Sequence, residues 1–364
     1  MNGVGIDLQH AVTLAALREG DGLLARTRLI SDGQRCLIPN AVAEGRWGSA
    51  AYRGGSVKAE RQAFLRHLAQ RIHQYLGRVE PIPQNGYQVV VAAHDDATAA
   101  SDVESAGLDR AAIIASTDAL LCRWLAENPD TDVKLVATVA IGDTSAAISA
   151  HQLSNTPRRV SRSPVSGRID NVGFLDWTER LLGEVRARLR DVAVADEELT
   201  LRDGALEFAA KLRGATNDVA VPWTGPFRGQ CYSIPTLSRR DCLVWPTAVT
   251  FAAEAPALVR RSVNALAAGS QPELVVLGGL GAVWPVAHDI LRQHWPVWTS
   301  ALPEEDIAVG AAWWPSLSKH FGVAAALNHV DAAIESTLEY EKLRDTPTAA
   351  FDATDPGDIP PWKR

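Results

Sequence analysis

The sequence lacks several features that would place it in a specialised class. No apolar run approaches the roughly 20 residues that a helix needs to cross a bilayer, and Asp7 interrupts the only N-terminal candidate for a signal peptide. The four cysteines form no CxxC pair, so we expect neither a zinc knuckle nor a disulfide framework. No dense Lys/Arg run offsets the formal charge of -7. We therefore expect a cytoplasmic protein with no membrane insertion and no nucleic-acid partner.

What is present is the composition of an ordinary globular protein. Hydrophobic residues make up 46% of the sequence and charged residues 22%. A chain of 364 residues is long enough for two domains, each with a substantial core.

The segment from Gln88 to Leu153 has the clearest pattern. It predicts a strand over 88–93, a helix over 97–107, a strand over 111–116, a helix over 117–127 and a hairpin over 133–153. The turn of the hairpin consists of Gly142, Asp143, Thr144 and Ser145, small residues that let the backbone turn tightly with its amides facing the gap. Such a turn can bind a phosphate. A similar strand, turn and strand over residues 4–25 predicts two similar halves that face one cleft.

Asp7 is the one charged residue inside the first apolar strand. A buried carboxylate without a partner costs several kcal/mol, so Asp7 must reach solvent, a hydrogen-bond network or a cation. The alternative is a strand-end Asp that caps the following turn.

The rest of the chain alternates predicted helices and strands. We expect helices over 58–77, 171–190, 195–213, from residue 238 onwards, 303–314 and 323–343, a hairpin over 219–236, a buried strand over 274–277, and an exposed loop or strand edge over 157–166. The buried strand is followed by Gly278, Gly279, Leu280 and Gly281 and then by a helix. A strand, a glycine loop and a helix suit the approach of a phosphate or a ribose.

The order of these segments resembles that of a known family. The matching segments are GIDLQH from Gly5, IPN from Ile38, GSAAY from Gly48, VVVAAHDD from Val89, AGLDRAAIIAS from Ala106, AIGDTSAAIS from Ala140, LSRRDC from Leu237, LVVLGGLGAVWP from Leu274 and PEEDIAVGAAW from Pro303. In this order they resemble the nucleotide-binding domain of the DnaK-type heat-shock chaperones, within the superfamily of actin, sugar kinases and heat-shock ATPases. The resemblance covers residues 1 to about 320.

The resemblance implies an α/β, two-lobed actin-like ATPase fold built from duplicated ribonuclease-H-like domains. It places lobe I at 1–153, lobe II at 154–322, a C-terminal helix at 323–344 and a disordered, acidic, Pro-containing tail at 345–364. It also implies a cleft for ATP or ADP with Mg²⁺, in which Asp7 is the metal ligand. The nucleotide-binding residues would be Asp7, Gln9, His10, Gly142, Asp143, Thr144, Ser145, Lys211, Gly278, Gly279 and Gly281.

The sequence departs from this family at the residues that its chemistry needs. Tyr52 stands in place of a lysine, Ala140 and Ala147 stand in place of carboxylates, and Gln9 stands in place of the first of three small loop residues. Of the carboxylates and the lysine that order magnesium and polarise the attacking water, only Asp7 survives. Phosphoryl transfer depends on positioned charge, and each such loss costs about two to three orders of magnitude. We therefore expect no useful ATP hydrolysis.

Three functions stay open. The leading one is a pseudo-ATPase with weak ATP or ADP binding and a regulatory or scaffolding role for a protein partner, in which the C-terminal tail is either a recognition segment or a spacer. The second is an active ATPase or kinase that uses Asp7, His10 and Asp143 in a rearranged site. The third is a nucleotide-free interaction protein whose cleft is filled by Tyr52 and Gln9. The chain ends where the chaperones' peptide-binding domain would begin, so the resemblance implies no peptide-folding cycle.

Overall fold

The structure is a computed structural model. It describes residues 2–9, 12–20, 26–30, 38–39, 66, 68–70, 72, 87–93, 111–155, 158–189, 195–227 and 230–321. The helices predicted over 97–107 and 323–343, the tail from Asp345, His10 and Tyr52 lie outside the described residues.

The described chain is of the α/β class, and its strands follow the predicted pattern closely. They are β1 (Asn2–Leu8), β2 (Val12–Glu19), β3 (Arg26–Ile30), β4 (Ile38–Pro39), β5 (Tyr87–Ala93), β6 (Ala112–Ala115), β7 (Leu135–Ile141), β8 (Ser145–Asn155), β9 (Arg158–Arg162), β10 (Gly167–Asp170), β11 (Val221–Phe227), β12 (Gln230–Leu237), β13 (Leu274–Gly278) and β14 (Val297–Trp298). The predicted hairpins over 4–25, 133–153 and 219–236 are confirmed.

The helices also lie where the sequence periodicity places them. They are α1 (Ser116–Glu127), α2 (Phe174–Leu189), α3 (Ala195–Gly214), α4 (Arg239–Cys242), α5 (Pro246–Leu266), α6 (Pro285–Arg292) and α7 (Asp306–Leu317). The helix expected from residue 238 onwards consists of two helices, α4 and α5. Ser238 caps α4: its side chain accepts a hydrogen bond from the Asp241 amide, while the Asp241 side chain accepts one from the Ser238 amide. The described residues of the helix predicted over 58–77 are helical, with Leu68 and Ile72 buried.

The first sheet has the strand order β3-β2-β1-β5-β6, with β4 paired to β2. Strands β1, β2 and β3 form an antiparallel meander. Strands β5 and β6 then add in parallel beside β1. The central strand β1 is therefore covered on both edges.

The second sheet repeats this pattern with other residues. Its order is β10-β8-β7-β13-β14, with β9 paired to the far end of β8. Strands β7, β8 and β10 are antiparallel neighbours, and β13 and β14 add in parallel beside β7. Strands β1 and β7 are thus equivalent central strands, and each continues directly into an antiparallel hairpin.

One expectation needs correction. The division placed at residue 153 falls inside β8, because β7 and β8 both belong to the second sheet; the sheets divide in the connection between α1 and β7.

The segment expected to be an exposed loop or a strand edge contains the edge strand β9, which pairs with β8. Val160 is buried and Ser161 is exposed along this strand, and Arg162 turns inward to pair with the buried Asp118.

Helix α7 follows the second sheet in the chain but packs on the first. A Cβ placed on Gly3 would overlap the Ala312 carbonyl oxygen, and one placed on Gly5 would overlap that of Ala308. Helix α1, which connects the sheets, packs on the second sheet, with Leu120 against Gly278 of β13. The two helices cross where Gly310 lies against the backbone of Ala119. This crossing ties the two sheets together.

None of the described helices is long and apolar enough to span a membrane.

Candidate functional site

Asp7 lies at the end of the central strand of the first sheet. Its side chain is fully buried because β2 and β5 flank β1 and α7 covers it. The side-chain amide of Gln9 donates a hydrogen bond of 2.6 Å from Nε2 to Asp7 Oδ2. Asp7 Oδ1 has no hydrogen-bond partner among the described residues. Gln9 therefore holds one carboxylate oxygen, and the other is buried without a hydrogen-bond donor in the described part of the chain.

The turn of the second hairpin begins where the equivalent strand β7 ends. The Gly142 amide donates to the Ser145 carbonyl oxygen at 2.7 Å and closes the turn. The Gly142 and Asp143 carbonyl oxygens accept hydrogen bonds from the amides of Phe174 and Leu175, at 2.9 and 2.7 Å. These two amides begin α2, so the helix N-terminus binds the turn. Because a trans peptide holds its N–H opposite its C=O, the amides of Asp143 and Thr144 are directed away from the helix.

The segment before α2 fixes this turn, which the sequence analysis did not anticipate. Asn171 adopts a left-handed backbone conformation, with φ of 60°, and its amide donates to the Thr144 carbonyl oxygen at 2.9 Å. A Cβ on Gly173 would overlap the backbone of Asp143 and Thr144. The signal was the Asn-Val-Gly sequence, since Asn and Gly are the residues that tolerate such positions.

The two hairpins meet, because Asp143 acts electrostatically on Asp7. Burial raises the pKa of Asp7 to about 7, the Gln9 hydrogen bond opposes this rise, and the negative charge of Asp143 adds to it. Asp143 is itself buried. Two carboxylates that follow equivalent central strands therefore influence each other, and a common cleft between the two halves stays a prediction.

The glycine loop after β13 adjoins this site, but packing accounts for its glycines. A Cβ on Gly281 would overlap the Ile141 side chain and lie 3.0 Å from the Gly142 carbonyl oxygen. Gly279 has a φ of 96° and donates to the Pro303 carbonyl oxygen. Leu120 and Asp306 approach Gly278 in the same way. The loop is buried, so its predicted approach to a ribose stays a prediction.

Lys211 engages other partners. Its ammonium group lies 2.7 Å from Glu207 Oε1 and 2.9 Å from Thr224 Oγ1. The structure thus brings Asp7, Gln9 and the turn from Gly142 to Ser145 together, with the glycine loop beside them. Lys211 instead contacts Glu207 on α3 and Thr224 on β11.

The site provides two carboxylates for a metal ion. No group of three or more His, Cys, Asp or Glu side chains is arranged to hold a metal within the part of the chain that the structure describes. Mg²⁺ in nucleotide sites is commonly held by one or two carboxylates, with waters and phosphates completing its shell. Asp7 Oδ1 and the Asp143 carboxylate fit this mode, in which nucleotide phosphates are required ligands.

A buried Asp7 with a pKa of about 7 predicts a pH-dependent effect of Asp7→Asn. Because the folded-state pKa exceeds the unfolded-state value, the folded protein binds more protons between about pH 4 and 7, and the carboxylate costs stability as pH rises through that range. At pH 8, Asp7→Asn should raise the free energy of unfolding by about 2–4 kcal/mol. Urea denaturation at pH 8 and pH 5 measures this effect, which should shrink at the lower pH.

Asp132→Asn is the matched control, since Asp132 is exposed. It should change the free energy of unfolding by less than about 0.5 kcal/mol at either pH. Equal stability of Asp7→Asn and the unmodified protein at pH 8 would contradict the burial of an ionisable Asp7.

No family model matches this chain, and no curated protein sequence matches it.

Proposed function

We propose that this protein is a nucleotide-binding pseudo-ATPase of the two-lobed actin-like class, of the DnaK type, which acts as a regulatory or scaffolding subunit for a protein partner. The observation that carries this proposal is the repeated sheet. Both sheets have one strand order and one set of strand directions, and the ends of their central strands bring Asp7 and Asp143 together.

The packing of α1 and α7 supports the two-lobed arrangement, because α1 connects the two sheets and α7 follows the second sheet but packs on the first. Each lobe would consist of one sheet with its helices, and α1 and α7 would be the two crossings between lobes. The close contact of Gly310 with Ala119 places these crossings against each other. In such an arrangement the nucleotide cleft would lie on the side where both central strands end, next to the buried Asp7 and Asp143.

The second hairpin supports phosphate binding. The carbonyl oxygens of Gly142 and Asp143 are bound to α2, and the amides of Asp143 and Thr144 are directed the other way. Backbone amides of this kind bind phosphate oxygens. The Asp143 carboxylate repels a phosphate at the same place, so a cation between them is required. We therefore propose weak binding of ATP or ADP that depends on Mg²⁺.

The charges of the site support binding without hydrolysis. Transfer of a phosphoryl group needs positive charge on its equatorial oxygens. The two charged side chains that the structure brings together here are carboxylates, and Lys211 is paired with Glu207. A pKa of about 7 also leaves Asp7 partly protonated at neutral pH, which weakens it as a metal ligand.

Thermal unfolding with nucleotide tests this proposal. At about 100 times its dissociation constant, a ligand adds about 2.7 kcal/mol of stability. We expect ADP and ATP to raise the Tm in the presence of Mg²⁺ and to lose this effect in EDTA. Asp143→Asn removes the repulsion and should restore part of the nucleotide effect in EDTA, whereas the exposed Asp132→Asn should not.

The alternatives give different results. No Tm shift with any nucleotide in either buffer would contradict the proposal and favour a nucleotide-free interaction protein. A shift accompanied by turnover would favour the active ATPase or kinase.

A further inference from the structure

A second cavity lies beside the crossing of α1 and α7. Its volume is about 330 Å³, and its lining includes neither Asp7 nor Asp143. Helix α1, the segment after β14 and the start of α7 form its wall. The residues that determine its chemistry are Arg123, Glu127, Trp298, Leu302, Glu305 and Asp306.

The wall of this cavity has a net negative charge. Arg123 is already neutralised, because its Nη2 lies 2.6 Å from Glu127 Oε1 and its Nε lies 3.2 Å from Asp306 Oδ1. Glu305 is the third carboxylate of the lining, whereas Arg123 supplies the one guanidinium group among these four residues. Burial, and then the neighbouring Glu304, raise the pKa of Glu305. A positive ligand would relieve this crowding of negative charge.

Asp306 is the most buried carboxylate of the lining, with a side chain that is 1% exposed. Arg123 Nε lies 3.2 Å from its Oδ1, and the Ser300 hydroxyl also hydrogen-bonds to the carboxylate. Its Oδ2 lies against Gly278 and has no hydrogen-bond partner in the described part of the chain. A positive ligand in the cavity would therefore stabilise a carboxylate that one shared guanidinium group only partly neutralises.

The segment after β14 adds apolar surface to a lining that also contains Thr299 and Ser300. The Trp298 indole lies half-buried in the lining, and Leu302 is 50% exposed beside it. An aromatic face attracts a cation, and an aliphatic side chain covers a short hydrocarbon stem. We propose that this cavity binds a small organic cation, an alkylguanidinium or alkylammonium group, with Asp306 and Glu305 as acceptors and Trp298 against its stem. This site does not depend on nucleotide binding.

Calorimetric titration of the full chain with n-butylguanidinium at pH 8 tests the proposal. The neutral n-butylurea has the same shape and serves as the matched ligand. We expect saturable binding of the guanidinium compound at constant ionic strength and at least about tenfold weaker binding of the urea. Equal affinity for the two compounds, or no saturation by the cation up to about 10 mM, would overturn the site.

Variants show whether the cation binds in this cavity or is only attracted by the negative charge of the whole protein. Glu305→Gln and Asp306→Asn should each weaken binding about tenfold. The exposed Glu254→Gln on α5 makes the same chemical change elsewhere and should leave the affinity unchanged. If Asp306→Asn does not fold, Glu305→Gln alone decides, because Glu305 is only half-buried. Unchanged affinity in the folded carboxylate variants would show that the cation binds elsewhere.

The pH dependence gives an independent result. Asp306 faces Arg123 and Glu127 from α1 and neighbours Glu305, and burial raises its pKa to about 7. It is mostly protonated at pH 6, so cation binding should be several-fold weaker there than at pH 8. Asp306→Asn should remove most of that difference. A pH dependence that survives Asp306→Asn in full would contradict its role as an acceptor.

Discussion

Replacing Gly310 with alanine should lower the free energy of unfolding by about 3 kcal/mol or more, although alanine favours helix more than glycine does. The reason is the crossing of α7 and α1, where a Cβ on Gly310 would overlap the Ala119 carbonyl oxygen and crowd the Arg123 amide. Backbone atoms of a helix cannot move aside as the end of a flexible side chain can. The loss is measured by urea denaturation.

Gly183→Ala is the matched control, because the same substitution should have the opposite sign. Gly183 is exposed within α2, and a Cβ there meets no atom within 4 Å. Alanine should raise the free energy of unfolding by about 0.5–1 kcal/mol. A Gly310→Ala protein as stable as the Gly183→Ala protein would show that α1 and α7 do not cross at this contact.

Replacing Arg162 with methionine should cost about 3–5 kcal/mol, because it leaves the charge of Asp118 without its arginine. Asp118 is fully buried on α1, and Arg162 Nη1 lies 3.2 Å from its Oδ2. This ion pair joins the connecting helix to β9 on the edge of the second sheet. The double variant Arg162→Met with Asp118→Asn should be less destabilised than Arg162→Met, since it removes both charges.

His151 makes this effect depend on pH. It is fully buried with Nδ1 3.8 Å from Asp118 Oδ1, and burial, then the charge of Arg162, lower its pKa to about 3. In the unmodified protein, this depressed pKa costs stability as pH falls below about 6.5, because only the unfolded chain then binds the proton. Without Arg162 the pKa of His151 rises, so the loss caused by Arg162→Met should be smaller at pH 5 than at pH 8.

Arg180→Met is the control for this substitution. Arg180 pairs with Glu184 on the exposed face of α2, at i and i+4, with 49% of the arginine side chain exposed. Such a pair contributes about 0.3–0.5 kcal/mol. Urea denaturation of both variants at two pH values makes the comparison, and equal losses for Arg162→Met and Arg180→Met would contradict a buried ion pair.

Local patterns in the sequence were sufficient to predict most of the elements. The hairpin over 133–153 and the glycine loop after β13 follow from short-range rules of turn chemistry and hydrophobic period. The order of the strands does not, because it depends on contacts between distant segments. The resemblance implied an α/β fold, and the structure shows the α/β class with two mixed sheets.

The crossing of α7 onto the first sheet could not be predicted from residue patterns. The sequence alone shows only that three positions are small: Gly3, Gly5 and Gly310. The packed structure shows that each of them lies against the backbone of another helix or strand. The sequence allowed a strand edge at β9, but it could not show the ion pair of Arg162, because its partner Asp118 lies 44 residues away.

The candidate site was predicted in part. A charged residue inside an apolar strand drew attention to Asp7, and that rule would have found His151 in β8 as well. The coupling of Asp7 to Asp143 required two hairpins to meet, which only the fold decides. Lys211 was placed by resemblance; in the structure it forms an ion pair with Glu207, and its contact with a nucleotide stays a prediction.

Release of phosphate in a single turnover tests the central claim most directly. The protein is mixed in excess with γ-labelled ATP and Mg²⁺ at pH 7.5, so that the fate of each bound nucleotide can be followed. We expect phosphate to appear no faster than in buffer, in the same preparation that shows a nucleotide-dependent Tm shift, and Asp7→Asn should leave this rate of phosphate release unchanged. Rapid release that Asp7→Asn abolishes would contradict a site that binds a nucleotide without cleaving it.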